Sequence, residues 1–349
     1  METAAFTSRF LTDYELIRCL GSGGFGVVLE ARDKLVDINY AVKCIALPNE
    51  EKSREKVMRE VKNHARLGHQ HIVRYYVTWL EHPPPGWQAQ IDSLLEEKTG
   101  SNVGAFDLMA DDSDSDGKTP EGMTTEESSG GIEFRQSAEN FPSRLASQKK
   151  ERRDFLYIAM ELCCRGTLRN WLYDNQKRDS QATTKQFRQI CSGVAYIHEQ
   201  KLVHRDLKPE NIYLSASGCI KIGDFGLSTH LKRSRGGPMM NKQGIELSHY
   251  VGTEMYMAPE IKLSNMLYTN KVDIFSLGII LLELLTPIAT ESELCKLITN
   301  AKMGQFPKSL NTMWCSLLAR MLNLDPEKRP DAKEILRVSP KTPKSKAAR

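Results

Sequence analysis

The pattern of apolar and polar positions divides the chain into three textures. Residues 10–80 follow the two-residue period of strands around one amphipathic stretch, whereas residues 154–336 mostly follow the helical period. The segment between them is polar and keeps little periodicity. Val27-Val28-Leu29-Glu30-Ala31 and Tyr40-Ala41-Val42-Lys43 read as two strands, and Cys219-Ile220-Lys221-Ile222 reads as another. Within residues 52–67, Val57, Val61 and Ala65 fall on one stripe of a helix, with Glu60 beside it. The longest apolar run, 274–285, is well short of the roughly 20 residues needed to span a bilayer and predicts a buried core helix. Asp273 at its start suits the positive end of that helix and can cap a neighbouring loop.

Composition narrows the picture without deciding it. A chain of 349 residues, 40% hydrophobic and 26% charged, is an ordinary globular protein of one large or two smaller domains. Its eight cysteines show no CxxC spacing, which argues against a zinc site or a disulfide framework and for a reducing compartment. Residues 1–9 lack the basic and apolar regions of a secretory signal, so a cytosolic location is expected. The net charge of +4 is dispersed, with no basic and aromatic groove, which sets nucleic acid aside as a direct ligand. Residues 90–150 are dominated by Asp, Glu, Ser, Thr and Gly and read as a flexible insert. There Asp112, Asp114, Asp116 and Gly117 imitate the opening of a calcium loop, but Met123 stands where the bidentate glutamate belongs. A solvated acidic run, with Ser113 and Ser115 as candidate phosphorylation sites, is the better reading.

The chemistry lies in short strings. Gly21-Ser22-Gly23-Gly24-Phe25-Gly26-Val27-Val28 lets backbone approach phosphate oxygens, and it runs on into strands where a dinucleotide-binding turn would open a helix. Lys43 can then reach the α- and β-phosphates of ATP, oriented by Glu60. His204-Arg205-Asp206-Leu207-Lys208-Pro209-Glu210-Asn211 is the most specific string. Asp206 would accept a hydroxyl proton and Lys208 would neutralise the migrating phosphoryl, while Asn211 and Asp224 of Asp224-Phe225-Gly226 would hold Mg2+. Lys208 also favours Ser/Thr over Tyr acceptors. Ala258-Pro259-Glu260 closes the segment that follows, with Arg329 as the expected buried partner of Glu260.

With these strings in place, residues 10–336, less the insert, resemble the eukaryotic protein kinase domain. The resemblance implies an α+β, bilobal protein kinase fold. A small β-rich N-lobe would span 10–162 with the insert at about 82–152, a larger helical C-lobe 163–337, and a disordered basic tail 338–349. A finer resemblance is to the kinases of the alpha subunit of translation initiation factor 2, and to their endoplasmic-reticulum stress branch. It rests on Arg9-Phe10-Leu11-Thr12-Asp13-Tyr14, Arg54-Glu55-Lys56-Val57-Met58-Arg59-Glu60-Val61-Lys62, Ile72-Val73-Arg74-Tyr75-Tyr76 with Trp79-Leu80-Glu81, Phe275, and the acidic insert.

That family implies ATP and Mg2+ as cofactors, the initiation factor's alpha subunit as substrate, and stress-linked reduction of translation. It implies a homodimer through the N-lobes using Arg9, Asp13 and Tyr40. Ser248 matches its autophosphorylated position with Arg205 as phosphate receptor, and Thr253 would contact Asp206 and Lys208. Adenine would lie between Val28 and Ala41 above and Tyr213 below, against the hinge Glu161-Leu162-Cys163, with Met160 guarding the back pocket. Substrate docking would use a helix near 290–298. His64 departs from the family pattern: an apolar residue normally completes the spine of Tyr75, Phe225 and His204, and a semi-buried histidine is expected there. The family's endoplasmic-reticulum members carry a membrane span and lumenal sensor, so this chain reads as cytosolic or as the cytosolic catalytic portion of such a protein. A Ser/Thr kinase with another target and a catalytically silent dimerising scaffold are the alternatives.

Overall fold

The computed structural model describes residues 6–23, 26–84, 87, 153–225, 229–230, 254–262 and 269–340. A short helix α1 (Arg9–Asp13), capped by the Ser8 hydroxyl, leads into strands β1 (Tyr14–Gly23), β2 (Gly26–Asp33) and β3 (Ile38–Ala46). Helix α2 (Glu51–Ala65) follows, then β4 (Tyr75–Glu81) and β5 (Phe155–Met160). The five strands form one antiparallel sheet in the order β1-β2-β3-β5-β4. Glu81 pairs with Phe155, and His82 contacts Asp154 at 2.7 Å, so the two ends of the long connection between β4 and β5 lie side by side. Asp154 also accepts from Arg54 of α2 at 2.6 Å, which ties the helix to that corner.

Alternation along these strands turns aromatic side chains to one face, where burying large rings does most to hold a small sheet together. Tyr14, Trp79, Tyr157 and Phe10 stack in series with centroids 5.6, 5.2 and 5.4 Å apart. Trp79 donates its indole N–H to the buried Glu81 carboxylate at 2.9 Å, which also accepts from the Phe10 amide at 2.8 Å. The other face packs against α2. Among its described side chains Val61, Asn63 and His64 are buried, as is Leu67 beyond its end, while Ala65 is exposed. The expected Val57, Val61, Ala65 stripe is therefore turned by one position, because the helix is wedged towards the cleft as well as towards the sheet.

After β5 the chain crosses into a helical lobe built from α3 (Leu168–Asp174), α4 (Ser180–Glu199), α5 (Lys271–Leu285), α6 (Glu291–Lys302), α7 (Thr312–Met321) and α8 (Ala332–Val338). Its small pairs β6 (Leu202–Val203) with β9 (Thr229–His230), and β7 (Ile212–Leu214) with β8 (Ile220–Ile222), lie on the cleft side. The apolar run found in the sequence is α5, and from Val272 to Leu284 every residue is buried. This helix is the core around which the lobe packs. Arg329, fully buried, makes a bidentate pair with Glu260 at 2.6 and 2.9 Å and bonds the carbonyls of Asn323 and Lys271. Such a pair survives burial because its donors and acceptors are all satisfied. Among the described residues no helix is long and apolar enough to cross a membrane.

Candidate active site

The cleft is bounded above by β2 and β3 and below by the loops around β6, β7 and β8. Gly26 opens β2 at φ 106°, and a Cβ there would sit 2.1 Å from the Cys44 carbonyl oxygen, so only glycine lets the turn lie this close to β3. Register then sets the ceiling of the cleft: Val28 pairs with Lys43, Ala41 with Met160 and Lys43 with Ile158. Gly21 is described and exposed, and Ser22 and Gly23 close β1 as backbone. Gly24 and Phe25 lie outside the described residues.

Lys43 stands mid-strand, three residues short of the end of β3, and reaches across the cleft to Asp224 Oδ1 at 2.8 Å. Burial alone pushes the Asp224 carboxyl up, but the Lys43 ammonium outweighs it and holds the group below its ordinary value. Asp224 is thus an anion at neutral pH. Glu60 lies in α2, but its side chain lies outside the described residues.

Below, Asp206 is held from several sides. Its amide donates to His204 Nδ1 at 3.3 Å, Asn211 Nδ2 donates to both its carbonyl and its Oδ2 at 2.8 Å, and Lys208 Nζ lies 3.1 Å from the same Oδ2. Among the described residues Oδ1 carries no hydrogen bond. Asp273 of α5 organises the loop behind, accepting from the amides of His204 and Arg205 at 2.9 and 2.8 Å and contacting His198 Nε2 at 2.8 Å. Arg205 and Asp224 both take positive φ, 70° and 59°, a conformation costing on the order of 1–3 kcal/mol for a non-glycine residue. The Asp273 and Lys43 contacts offset that strain. Tyr213 and Gly223 pack edge to backbone beneath the cleft, and a Cβ on Gly223 would come within 2.9 Å of the Tyr213 ring. At the hinge, Glu161 donates its amide to the Arg74 carbonyl at 2.8 Å and its carboxylate holds Lys221 at 2.8 Å. Met160 and Cys163 are partly buried, and burial pushes the Cys163 thiol up to about 12.

The spine is assembled. The His64 ring lies tilted against those of Tyr75 and Phe225, with centroids 3.6 and 4.1 Å apart, and Phe225 meets His204 at 4.7 Å. His64 is 2% exposed, not semi-buried, because Tyr75 and Phe225 close over it from both sides. Its Nε2 lies 3.1 Å from the Val73 carbonyl and so carries the proton, leaving Nδ1 buried without a partner among the described residues. Burial lowers its pKa to about 3.

A lysine, two carboxylates and an asparagine thus come together under a glycine-rich hairpin. The family model "Protein kinase domain" matches residues 14–87 and 144–339. The chain belongs to the protein kinase domain family. The kinase match is interrupted at 88–143, within the polar insert. Curated relatives include eukaryotic translation initiation factor 2-alpha kinase 3 of Bos taurus, 27% identical with 96% of this chain and 44% of the relative covered. The eIF-2-alpha kinase GCN2 of Arabidopsis thaliana is 34% identical over 95% of this chain and 25% of its own length. The interferon-induced, double-stranded RNA-activated protein kinase of Rattus norvegicus is 34% identical over 94% and 52%. The chain thus spans between a quarter and about half of those relatives. The domain is of the protein Ser/Thr kinase class, and the family uses ATP with a divalent metal.

Other expected residues fall away from the cleft. Arg9 and Asp13 form a 3.1 Å pair within the chain, with the Arg9 guanidinium 4.9 Å from the centre of the Trp79 ring. Tyr40 packs edge-on against Tyr14 and Tyr76. Ser248 and Thr253 lie outside the described residues, as does the calcium-loop imitation at 112–117. The expected docking segment opens α6 with a capping box between Thr290 and Glu293. One cluster was missed altogether: Arg169, Glu210, Tyr256 and Glu283, joined beside the catalytic loop. Glu283, a lone carboxylate in an apolar run, was the available signal, since a buried charge demands a partner.

Proposed function

We propose that this domain transfers the γ-phosphoryl of ATP to a serine of the alpha subunit of translation initiation factor 2, lowering translation under stress. The observation that carries the catalytic part is the convergence of Lys43, Asp224, Asp206, Lys208 and Asn211 on one cleft. The choice of substrate is supported by what the relatives are named for.

The residues fit a hard divalent cation such as Mg2+. Asn211 spends its amide hydrogens on Asp206, which leaves its carbonyl oxygen for the ion, and Asp224 is an anion with one oxygen not bonded to Lys43. Among the described residues no cluster of three or more His, Cys, Asp or Glu side chains could hold a metal alone, as befits an ion completed by substrate phosphates. When bound, Mg2+ supplies charge neutralisation on the phosphate oxygens. Lys43 orients the α- and β-phosphates, and the glycine-rich hairpin covers them with backbone N–H groups. With Oδ2 engaged by Asn211 and Lys208, Asp206 presents Oδ1 to the acceptor hydroxyl, fixing its direction of attack and taking its proton. Lys208, beside it, offsets the negative charge of the transferring group.

The domain acts as a dimer of N-lobes in this reading, through exposed Arg9 and Asp13 together with Tyr40. Phosphorylation of Ser248, received by Arg205, switches it on. The test is incubation with labelled ATP and the purified alpha subunit, followed by peptide mapping. One labelled serine supports the substrate assignment; label on the domain itself with none on the subunit refutes it.

A further inference from the structure

Burial divides helix α2 into two unequal halves. Among its described side chains every buried one, Val61, Asn63 and His64, lies near its C-terminal end, where the helix meets the sheet and the spine. Over residues 51–59 the described side chains are partly buried at most, and the N-cap residue Glu50 makes no side-chain capping bond. Glu60 stands at the junction of the two. Apolar contact therefore fixes one end of the helix, and the other depends on polar anchorage.

Asp154 supplies that anchorage. It immediately precedes β5, and its carbonyl accepts from the Leu47 amide at 2.8 Å, on the connection from β3 to α2. Its carboxylate is divided between two partners: Oδ2 accepts from Arg54 of α2 at 2.6 Å, and Oδ1 lies 2.7 Å from Nδ1 of His82, the residue after β4. Burial pushes this carboxyl up, but His82 and Arg54 outweigh it and hold the group below its ordinary value, so it is an anion at neutral pH. The side chains of Asp154 and Arg54 are 17% and 30% exposed, sheltered enough for a charge-assisted bond to keep more strength than a solvated surface pair. Arg54 lies six residues before Glu60, about 9 Å along the helix axis. A helix released at Arg54 thus carries Glu60 with it. Resting on the reading of Glu60 as the anion that orients Lys43, we infer that Asp154 is a positioning residue for phosphoryl transfer. Through Arg54 it holds the N-terminal half of α2 against the sheet and keeps Glu60 level with Lys43. The same carboxylate joins the two ends of the β4 to β5 connection through His82, so one side chain sets both the base of the insert and the position of the helix.

The experiment assays wild type, Asp154→Asn, Arg54→Gln, their double variant and Arg54→Lys with labelled ATP, the alpha subunit and the domain itself serving as acceptors. Thermal unfolding is followed in the same preparations, and Asp154→Asn is also made in a Glu60→Gln background. Asp154→Asn and Arg54→Gln each lower kcat/KM for ATP about tenfold, and the double variant falls no further than either alone. Arg54→Lys, which keeps one charged bond, retains most of the activity. In the Glu60→Gln background Asp154→Asn costs less than about twofold, because the helix has no carboxylate left to position. A purely structural pair would lower the unfolding temperature and leave kcat/KM of the folded protein unchanged, or would cost the same factor with and without Glu60. Either result overturns the inference and leaves the kinase reading standing. If Asp154→Asn does not fold, Arg54→Gln set against Arg54→Lys, with and without Glu60, decides the same question. A wild-type domain that labels neither acceptor overturns both readings.

Discussion

Replacing His64 with leucine asks whether the spine histidine stays neutral throughout the range in which the protein works. In the fold its pKa is lowered to about 3 by burial, opposed by the Val73 carbonyl, while in the unfolded chain it returns to about 6.5. Below 6.5 the unfolded chain therefore binds a proton that the native state excludes, and stability falls as pH falls. Between pH 7 and 5.5 this single group costs about 1.3 kcal/mol. Lys43 and His204 lie close enough to add to the depression and Asp224 to oppose it, so the effect belongs to the assembled cleft. Leucine removes the titration, the Nε2 bond to Val73 and the orphaned Nδ1 together. The last two offset each other, so stability at one pH is not the readout. The assay is denaturant unfolding of both proteins at pH 7.0 and 5.5, compared as a difference of differences so that every other titrating group cancels. Wild type loses about 1.3 kcal/mol more than the variant. An equal loss in both proteins would mean that His64 takes up its proton in the native state, and the account of a dry, closed spine would be wrong.

Two further predictions concern the frame and the dimer. Arg329→Ala strands the buried Glu260 carboxylate and lowers stability by about 3–5 kcal/mol, read by chemical denaturation; a loss within experimental error would show the pair to be solvated. Arg9→Asp weakens self-association roughly fivefold in sedimentation, as a surface ion pair would, and Asp13→Arg in the same chain restores it. Unchanged sedimentation would count against the N-lobe interface.

The sequence carried most of the frame because its strongest signals are local. The hairpin of β2 and β3 follows from Gly26 and the strand residues on either side, and α5 from an apolar run too long to be anything but core. Arg329 and Glu260 were legible as a pair from the strings Ala258-Pro259-Glu260 and Glu327-Lys328-Arg329-Pro330. Less legible were contacts set by tertiary packing. Ala65 was placed on the buried stripe of α2, yet the helix turns His64 inwards, since a three-residue step from Val61 serves the cleft better than a four-residue one. The full burial of His64 was missed because how closely Tyr75 and Phe225 shut over it is set by tertiary packing. The Arg169 cluster draws on four separate segments, and only Glu283 hinted at it. Arg9 and Asp13, one helical turn apart, pair within one chain; the pairing between subunits implied by family likeness concerns a second copy and is no feature of a single chain.

The central claim is that one cleft performs phosphoryl transfer with Asp206 directing the acceptor. Its most direct measurement sets wild type beside Asp206→Ala, following binding of an ATP analogue by calorimetry and label transfer in the same preparations. The account predicts equal nucleotide affinity and no transfer above background in the variant. Equal transfer by the two proteins would contradict it.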